Sequence, residues 1–222
     1  MGDIMDGFII QILEILGTVA FAVSGALIAV SCSLDLFGVV FMGCVTACGG
    51  GILRDVLIGK VPPSVFDNSY VIFIAATSAI AVFVIAYINR HHFDTLREKL
   101  EKINNVFDAI GLSVFSVVGV EVAINSGFTD KKLFCILMGM LTGVGGGILR
   151  DIFANKTPYV FKKHIYAVAS LMGSGLYYVL RVTLGNVVLA ATLAMILVFA
   201  VRMLATVYLW QLPKVHFDNE SL

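Results

Sequence analysis

Four charged residues inside long apolar stretches of this 222-residue chain are the first candidates for chemistry. They form two identical pairs, Arg54 with Asp55 and Arg150 with Asp151. Each pair ends a copy of the heptapeptide GGGILRD, which spans residues 49–55 and recurs unchanged at 145–151. Ionisable groups within a membrane are costly and usually belong to functional sites. The pairs therefore indicate one polar site that is built twice.

Three adjacent glycines precede each pair, and they are Gly49, Gly50, Gly51, Gly145, Gly146 and Gly147. A glycine inside a helix costs roughly 1 kcal/mol relative to alanine, so each triplet needs a reason. One interpretation is a break or kink that frees backbone carbonyls to line a polar pathway, where they face protein or water. The other is close packing, since small residues let helices approach. Three consecutive glycines favour the break.

The arginines have two alternative placements. In continuous helices that begin at Leu36 and Leu133, each arginine would lie about 27 Å along the axis, near an interface where it can snorkel. A break at the glycines would instead draw each one toward a water-filled vestibule. There it could pair with the aspartate that follows it, with a neighbouring carboxylate or with an anionic lipid. We predict that both Arg-Asp pairs shape or gate a path and do not bind the ion.

Two further acids and three hydroxyls complete the candidate set, which adds Glu14, Asp108, Ser24, Thr46 and Thr142. Acidic groups at the two mouths of a path would concentrate cations. Alternatively, each acid pairs with a motif arginine. The hydroxyls could line the path, although buried serine and threonine usually bond to their own helix.

The sequence offers little for other chemistry. No nucleophile with an orienting histidine and acid is recognisable, and Gly59-Lys60 lacks the rest of a phosphate loop. Cys44 and Cys48 share a helix face but lack the further ligands that a metal needs. The formal net charge is zero, so no basic surface for nucleic acid is implied. We predict no enzyme activity, no cofactor, no catalytic residue and no bound metal.

The elements that position these residues are membrane helices. The chain is 59% hydrophobic and only 14% charged, and a helix needs about 20 apolar residues to cross a bilayer. Seven segments qualify: residues 8–30, 36–58, 70–89, 106–124, 133–153, 164–181 and 187–209. A polar surface helix is predicted over residues 90–105. We predict a single all-α membrane domain over residues 1–222, with helices two and five broken at the glycine triplets.

The repeat extends beyond the heptapeptide. Gly17, Phe21 and Gly25 match Gly111, Phe115 and Gly119 at an offset of 94 residues, and Gly43 and Thr46 match Gly139 and Thr142 at an offset of 96. Residues 8–89 therefore form one three-helix repeat and residues 106–181 a second, with a seventh helix at 187–209. Three is odd, so the copies enter the membrane from opposite sides. Such inverted repeats place their working site near the midplane at the repeat interface.

Lysine and arginine placement predicts the orientation. One side of the membrane holds five of these residues and the other holds ten. Because the cytoplasmic side carries the excess, we predict a multi-pass protein with its N-terminus outside and its C-terminus in the cytoplasm.

With the doubled GGGILRD and the 3+3+1 helix pattern, the chain resembles the bacterial trimeric intracellular cation (TRIC) channel family, whose members carry two "glycine transporter" domains. The resemblance covers nearly the whole chain. It implies a homotrimer in the bacterial inner membrane, with a pore in each protomer framed by helices two and five. It also implies permeation chiefly by potassium, with sodium also passing, and contact with membrane lipids. Arg54 and Arg150 match basic residues that act in gating or lipid binding in eukaryotic relatives.

Two other functions fit the pattern. Inverted repeats would equally suit a secondary transporter of glycine or a similar small zwitterion, in which helix N-termini hold the carboxylate. A structural or lipid-binding role is the third. The passive potassium-permeable channel is the preferred interpretation.

Overall fold

All regular secondary structure in the described part of the chain is helical. The computed structural model describes residues 2–89, 93–162, 165–208 and 210, but not the side chains of 2–5, 93–99 and 162. Its α-helices are α1 (Gly2–Ser31), α2 (Leu36–Ile58), α3 (Ser64–Asp67), α4 (Tyr70–Ile88), α5 (Phe93–Ala123), α6 (Lys132–Phe153), α7 (Tyr159–Lys162), α8 (Ile165–Leu184) and α9 (Val187–Val207), and a π-helical turn over Ile124–Phe128 follows α5. All but the short α3 and α7 are long and apolar enough to cross a membrane. The predicted all-α fold with seven membrane helices is therefore confirmed.

Local sequence signals fix the ends of the site-bearing helices. The Asp35 carboxylate accepts the amide of Gly38 at 2.8 Å and caps the start of α2. Gly59 ends α2 with a φ of 88°, in the left-handed region that favours glycine. These two signals place Arg54 and Asp55 in the last two turns of α2.

One continuous helix replaces the separate surface helix predicted over residues 90–105. From Phe93 onward, α5 runs without interruption into the fourth membrane segment and ends at Ala123. Its sequence contains neither glycine nor proline before Gly111. Without a helix breaker, the polar and apolar parts join. Residues 90–92 of the predicted surface helix, residue 164 of the sixth segment and residue 209 of the seventh lie outside the described residues.

Four helices form the centre of the protein. α1 packs on α2 and α5, and α6 packs on the same two helices. α4 covers α1 and α2, whereas α8 covers α5 and α6, and α9 packs on α5 and α8. Consecutive spanning helices run in opposite directions, so the start of α1, the end of α2 and the start of α4 share one side, here called the N-side. The ends of α6 and α9 and the start of α8 lie on the other, the C-side.

Candidate functional site

The two glycine triplets lie where α2 crosses α6. A Cβ atom added to Gly50 would overlap the carbonyl oxygen of Thr142, and one added to Gly146 would overlap the carbonyl oxygen of Thr46. The glycines and the threonines are each related by the same offset of 96 residues. The contact is therefore reciprocal: each helix offers a glycine and receives a carbonyl.

The predicted breaks in helices two and five are wrong. α2 continues through Gly49–Gly51 and α6 through Gly145–Gly147. Among the described residues, the positive-φ glycines are elsewhere, at Gly59, Gly127 and Gly185. The triplets use the missing side chain for close approach rather than for backbone freedom. The helices thereby keep their backbone hydrogen bonds satisfied inside the membrane.

A second reciprocal contact joins α1 to α5 beside this crossing. A Cβ added to Gly17 would lie 2.9 Å from the ring of Phe115, and one added to Gly111 would overlap the ring of Phe21. The two rings are buried and their centroids are 5.3 Å apart. An apolar plug of two phenylalanines thus fills the centre of the four-helix core.

Arg150 is fully buried at the C-side end of this core. Its Nη1 donates to Asp108 Oδ1 at 2.7 Å and to Ser24 Oγ at 2.6 Å, and its Nε donates to Asp151 Oδ1 at 2.9 Å. The second oxygen of Asp151 accepts the amide of Tyr159 at 2.8 Å. Two carboxylates therefore hold this guanidinium inside the protein.

Three more residues join Arg150 that were not among the predicted site residues. Tyr166 donates its hydroxyl to Asp108 Oδ1 at 3.3 Å, and Arg202 Nη2 lies 3.6 Å from Asp108 Oδ2. Asn104 accepts the hydroxyl of Ser24 at 2.8 Å. We call Arg150, Asp108, Asp151, Tyr166 and Arg202 the C-side cluster. Its two arginines and two aspartates balance formally to zero.

Arg54 repeats part of this arrangement on the N-side. It is only 4% exposed, and its Nε donates to Asp55 Oδ1 at 2.8 Å. The other oxygen of Asp55 accepts the amide of Ser64 at 2.8 Å, as Asp151 accepts that of Tyr159. Both motif arginines are thus enclosed by protein, and neither snorkels.

The matched acids Glu14 and Asp108 have different partners. Asp108 is an ion-pair partner of Arg150. Glu14 is half-buried and accepts the Tyr70 hydroxyl at 3.2 Å, while the ion pair of Arg54 within the described residues is with Asp55. Tyr70 and Tyr166 are themselves 96 residues apart, so the repeat offset could have identified both tyrosines.

Polar cavities open at both ends of the core. The N-side cavity, of about 30 Å³, is lined by Glu14, Thr18, Arg54, Asp55 and Phe115 among others. The C-side cavity, of about 190 Å³, is lined by Ser31, Glu101, Asn104, Lys156 and Tyr159 among others. Thr18 lines the N-side cavity, and Ser24, six residues or about 9 Å further along α1, contacts the C-side cluster rather than the C-side cavity. The first α1 residue that lines the C-side cavity is Leu27, so the Phe21–Phe115 plug and the C-side cluster both lie between the two cavities.

The hydroxyls chosen from the sequence are all buried. Thr46 and Thr142 donate to the carbonyls of Met42 and Met138 on their own helices, each at 2.6 Å. Ser24 instead contacts the C-side cluster. The two threonine protons are therefore engaged, and only their lone pairs face the core.

Another buried acid, Glu121, belongs to a separate ion pair on the N-side. It accepts the Tyr177 hydroxyl at 2.8 Å and pairs with Arg181 at 3.1 Å. Among the described residues, no group of three or more His, Cys, Asp or Glu side chains is arranged to hold a metal ion.

Comparison with known proteins gives a consistent result. The profile of the family described as Glycine transporter matches residues 11–87 and again residues 105–182. The UPF0126 membrane protein YvgT of Bacillus subtilis is 36% identical over 211 residues, which cover 95% of this chain and 98% of the relative. A solved structure concerned with conductance through TRIC cation channels has a TM-score of 0.80 at 31% identity, covering 94% of this chain and 98% of that one. The TRIC trimeric intracellular cation channel orthologue from Rhodobacter sphaeroides has a TM-score of 0.81 at 29% identity, covering 91% and 99%.

Proposed function

Because the chain belongs to the glycine-transporter-domain family of bacterial TRIC channels, we propose that it is a cation channel that passes monovalent cations, chiefly potassium, without coupling to another solute. The observation that carries the proposal is the shared fold, which extends over 94% of this chain at a TM-score of 0.80. Because the solved relatives are described as trimeric, we further propose a homotrimer with one pore in each protomer, in contact with membrane lipids.

The core of the protein supports a path between the two cavities. Both cavities include polar residues in their walls, and α1 lines the N-side cavity at Glu14 and Thr18 and the C-side cavity from Leu27 onward. The proposed path follows the line that joins them within the four central helices. The Phe21–Phe115 plug closes that line here, so opening requires the rings to separate. Arg54 with Asp55, and Arg150 with Asp151, flank the path as fixed charges whose partners neutralise them. Thr46 and Thr142 offer oxygen lone pairs near its middle, beside the glycine triplets.

Planar-bilayer recording of purified protein tests the proposal. We expect single-channel currents in symmetric KCl that reverse near the potassium potential when a KCl gradient is imposed, with smaller currents in NaCl. Pure trimer that reconstitutes fully and carries no cation current would overturn the channel function.

Removing the plug is expected to raise the flux. The variant Phe115→Ala opens space beside Thr18 and Phe21, so we expect a several-fold increase in potassium flux from proteoliposomes. Phe73→Ala is the control, because this ring is 69% exposed on the outside of the protomer and should leave the flux unchanged. Unchanged flux in a Phe115→Ala protein that is still assembled would remove the rings from the path.

Transport of a small zwitterion is the second candidate, favoured by the name of the matching family profile and by the predicted inverted repeats. The N-side cavity of about 30 Å³ offers far less space than the C-side cavity of about 190 Å³, so passage of glycine would require the N-side end to open further. Saturable uptake of labelled glycine into proteoliposomes, competed by unlabelled glycine, would favour the transporter. Linear flux would favour the channel.

We propose that the protein spans the bacterial inner membrane with its N-terminus outside. The support is the placement of lysine and arginine along the sequence, which favours the C-side by eight residues to four when the buried Arg54, Arg150 and Arg202 are set aside. A C-terminal reporter that is active only in the cytoplasm should be active, and an inactive reporter on stably inserted protein would reverse the orientation.

A further inference from the structure

The N-side cavity carries an unbalanced charge. Arg54 contributes one positive charge, whereas Asp55 and Glu14 contribute one negative charge each, so the formal total is −1. Arg54 is engaged with Asp55, which leaves Glu14 with the neutral Tyr70 hydroxyl as its polar partner among the described residues. A partly buried carboxylate in this setting lacks a cation.

The matched position on the C-side has that cation. Asp108, which is equivalent to Glu14, is approached by Arg150 on one oxygen and by Arg202 on the other, at 2.7 and 3.6 Å. Arg202 comes from α9, which follows the second repeat and has no counterpart in the first. The seventh helix therefore supplies a positive charge beside Asp108, whereas no arginine of that helix is paired with Glu14 among the described residues.

An orphaned oxygen lies in the cavity beside Glu14. Thr18 is 1% exposed, lines the N-side cavity, and its Oγ1 has no hydrogen-bond partner among the described residues. A buried hydroxyl without a hydrogen-bond partner costs about 1–3 kcal/mol. A ligand that this oxygen coordinates would therefore stabilise the folded protein. The matched residue on the C-side is Leu112. Its side chain has no oxygen, and the positive charge beside Asp108 is supplied there by the Arg202 guanidinium.

We propose that the N-side cavity binds one small monovalent cation between the Glu14 carboxylate and the Thr18 hydroxyl, at the place that corresponds to the Arg202 guanidinium. The two residues are four apart on α1 and therefore share a helix face. A cavity of about 30 Å³ admits a single largely dehydrated ion. One unpaired carboxylate matches a single positive charge, whereas calcium takes six to eight oxygens and usually several carboxylates.

The site depends on the proposed function in one respect only, because the bound ion is taken to be the ion that the channel conducts. Its binding can be measured on detergent-solubilised protein, where no flux is involved. Channel currents without cation binding would contradict the proposed site but not the channel function. Cation binding without currents would contradict the channel function but not the site.

The test measures the melting temperature and the equilibrium binding of ⁸⁶Rb⁺ for purified protein in choline chloride with increasing RbCl or KCl. We expect one ion per protomer and a melting temperature that rises with ion concentration, as ligand binding requires. Glu14→Gln should weaken binding at least about tenfold, and Thr18→Val by about two- to tenfold. Thr18→Val should melt in choline at or above the wild-type temperature, because it loses only an unpartnered hydroxyl.

Arg202→Gln provides the converse experiment. It leaves the C-side cluster with one arginine and two aspartates, the same formal total as the N-side cavity, so the number of ions bound per protomer should rise. The proposal is overturned if Glu14→Gln and Thr18→Val bind ⁸⁶Rb⁺ as the wild type does, if no ion binds at all, or if a folded Arg202→Gln protein gains no ion.

Discussion

Replacing Asp108 with asparagine is expected to destabilise the protein by about 3–5 kcal/mol, because it leaves buried arginine charge without compensation. Asp108 is the carboxylate that Arg150 and Arg202 share, at 2.7 and 3.6 Å. Without it, Arg150 keeps Asp151 as its ion-pair partner, and Arg202 loses the carboxylate that it approaches. Thermal melting of purified protein in choline chloride should show a large fall in melting temperature.

Two companion variants make this prediction specific. Glu14→Gln alters the matched acid, but the change affects one hydrogen bond, which the amide oxygen can still accept from Tyr70, and should cost at most about 1 kcal/mol. Adding Arg202→Met to Asp108→Asn removes the surplus charge, so much of the lost stability should return and the two changes should be strongly non-additive. Equal destabilisation by both acid variants, or a double variant no better than Asp108→Asn, would contradict the charge-balance explanation.

Alanine at Gly50 or Gly146 is expected to push α2 and α6 apart. Each added methyl group would overlap a backbone carbonyl oxygen of the other helix, and a main-chain atom cannot rotate away as a side chain can. Overpacking of this kind costs about 1–3 kcal/mol or more. The double variant should lose most of its assembled protein in size-exclusion chromatography and, with it, the cation flux.

Gly51 is a matched control within the same triplet. A Cβ added there would meet only the flexible end of Arg54, at 3.6 Å. Gly51→Ala should therefore be tolerated, and it should stabilise α2 by about 1 kcal/mol through helix propensity. A Gly51→Ala protein as unstable as Gly50→Ala would mean that the triplet needs backbone freedom, as a break would, rather than a close crossing.

The sequence predicted the helices because long apolar runs leave few alternatives in a membrane. It did not decide what the triplets do, since a break and a close crossing require the same residue. Only the position of the Thr46 and Thr142 carbonyls opposite the glycines distinguishes the two, and that position depends on how α2 and α6 cross. The offset of 96 residues also relates Tyr70 to Tyr166, a match that was available from the sequence.

Other parts of the site could not be derived from the repeat. Arg202 lies on α9, which neither copy contains, so internal comparison gives no reason to place it beside Asp108. The different partners of Glu14 and Asp108 could not be derived for the same reason. Their sequence contexts match, but among the described residues only Asp108 pairs with a motif arginine. A residue without a counterpart in the other half can be assigned to the site only from its contacts in the folded structure.

The reciprocal crossing of α2 and α6 has the logic of an isologous dimer interface, in which residue i meets j and j meets i. Here a single chain makes both sides. A chain of half the length, inserted in the membrane in both orientations, would carry every group that this crossing needs. Two identical half-length chains would have to be the same at every position. A single chain can differ between its halves, as it does in α9 with Arg202 and in the pair Thr18 and Leu112. Because both halves belong to one chain, they can differ: Arg202 adds positive charge beside Asp108, whereas the N-side cavity keeps a formal charge of −1.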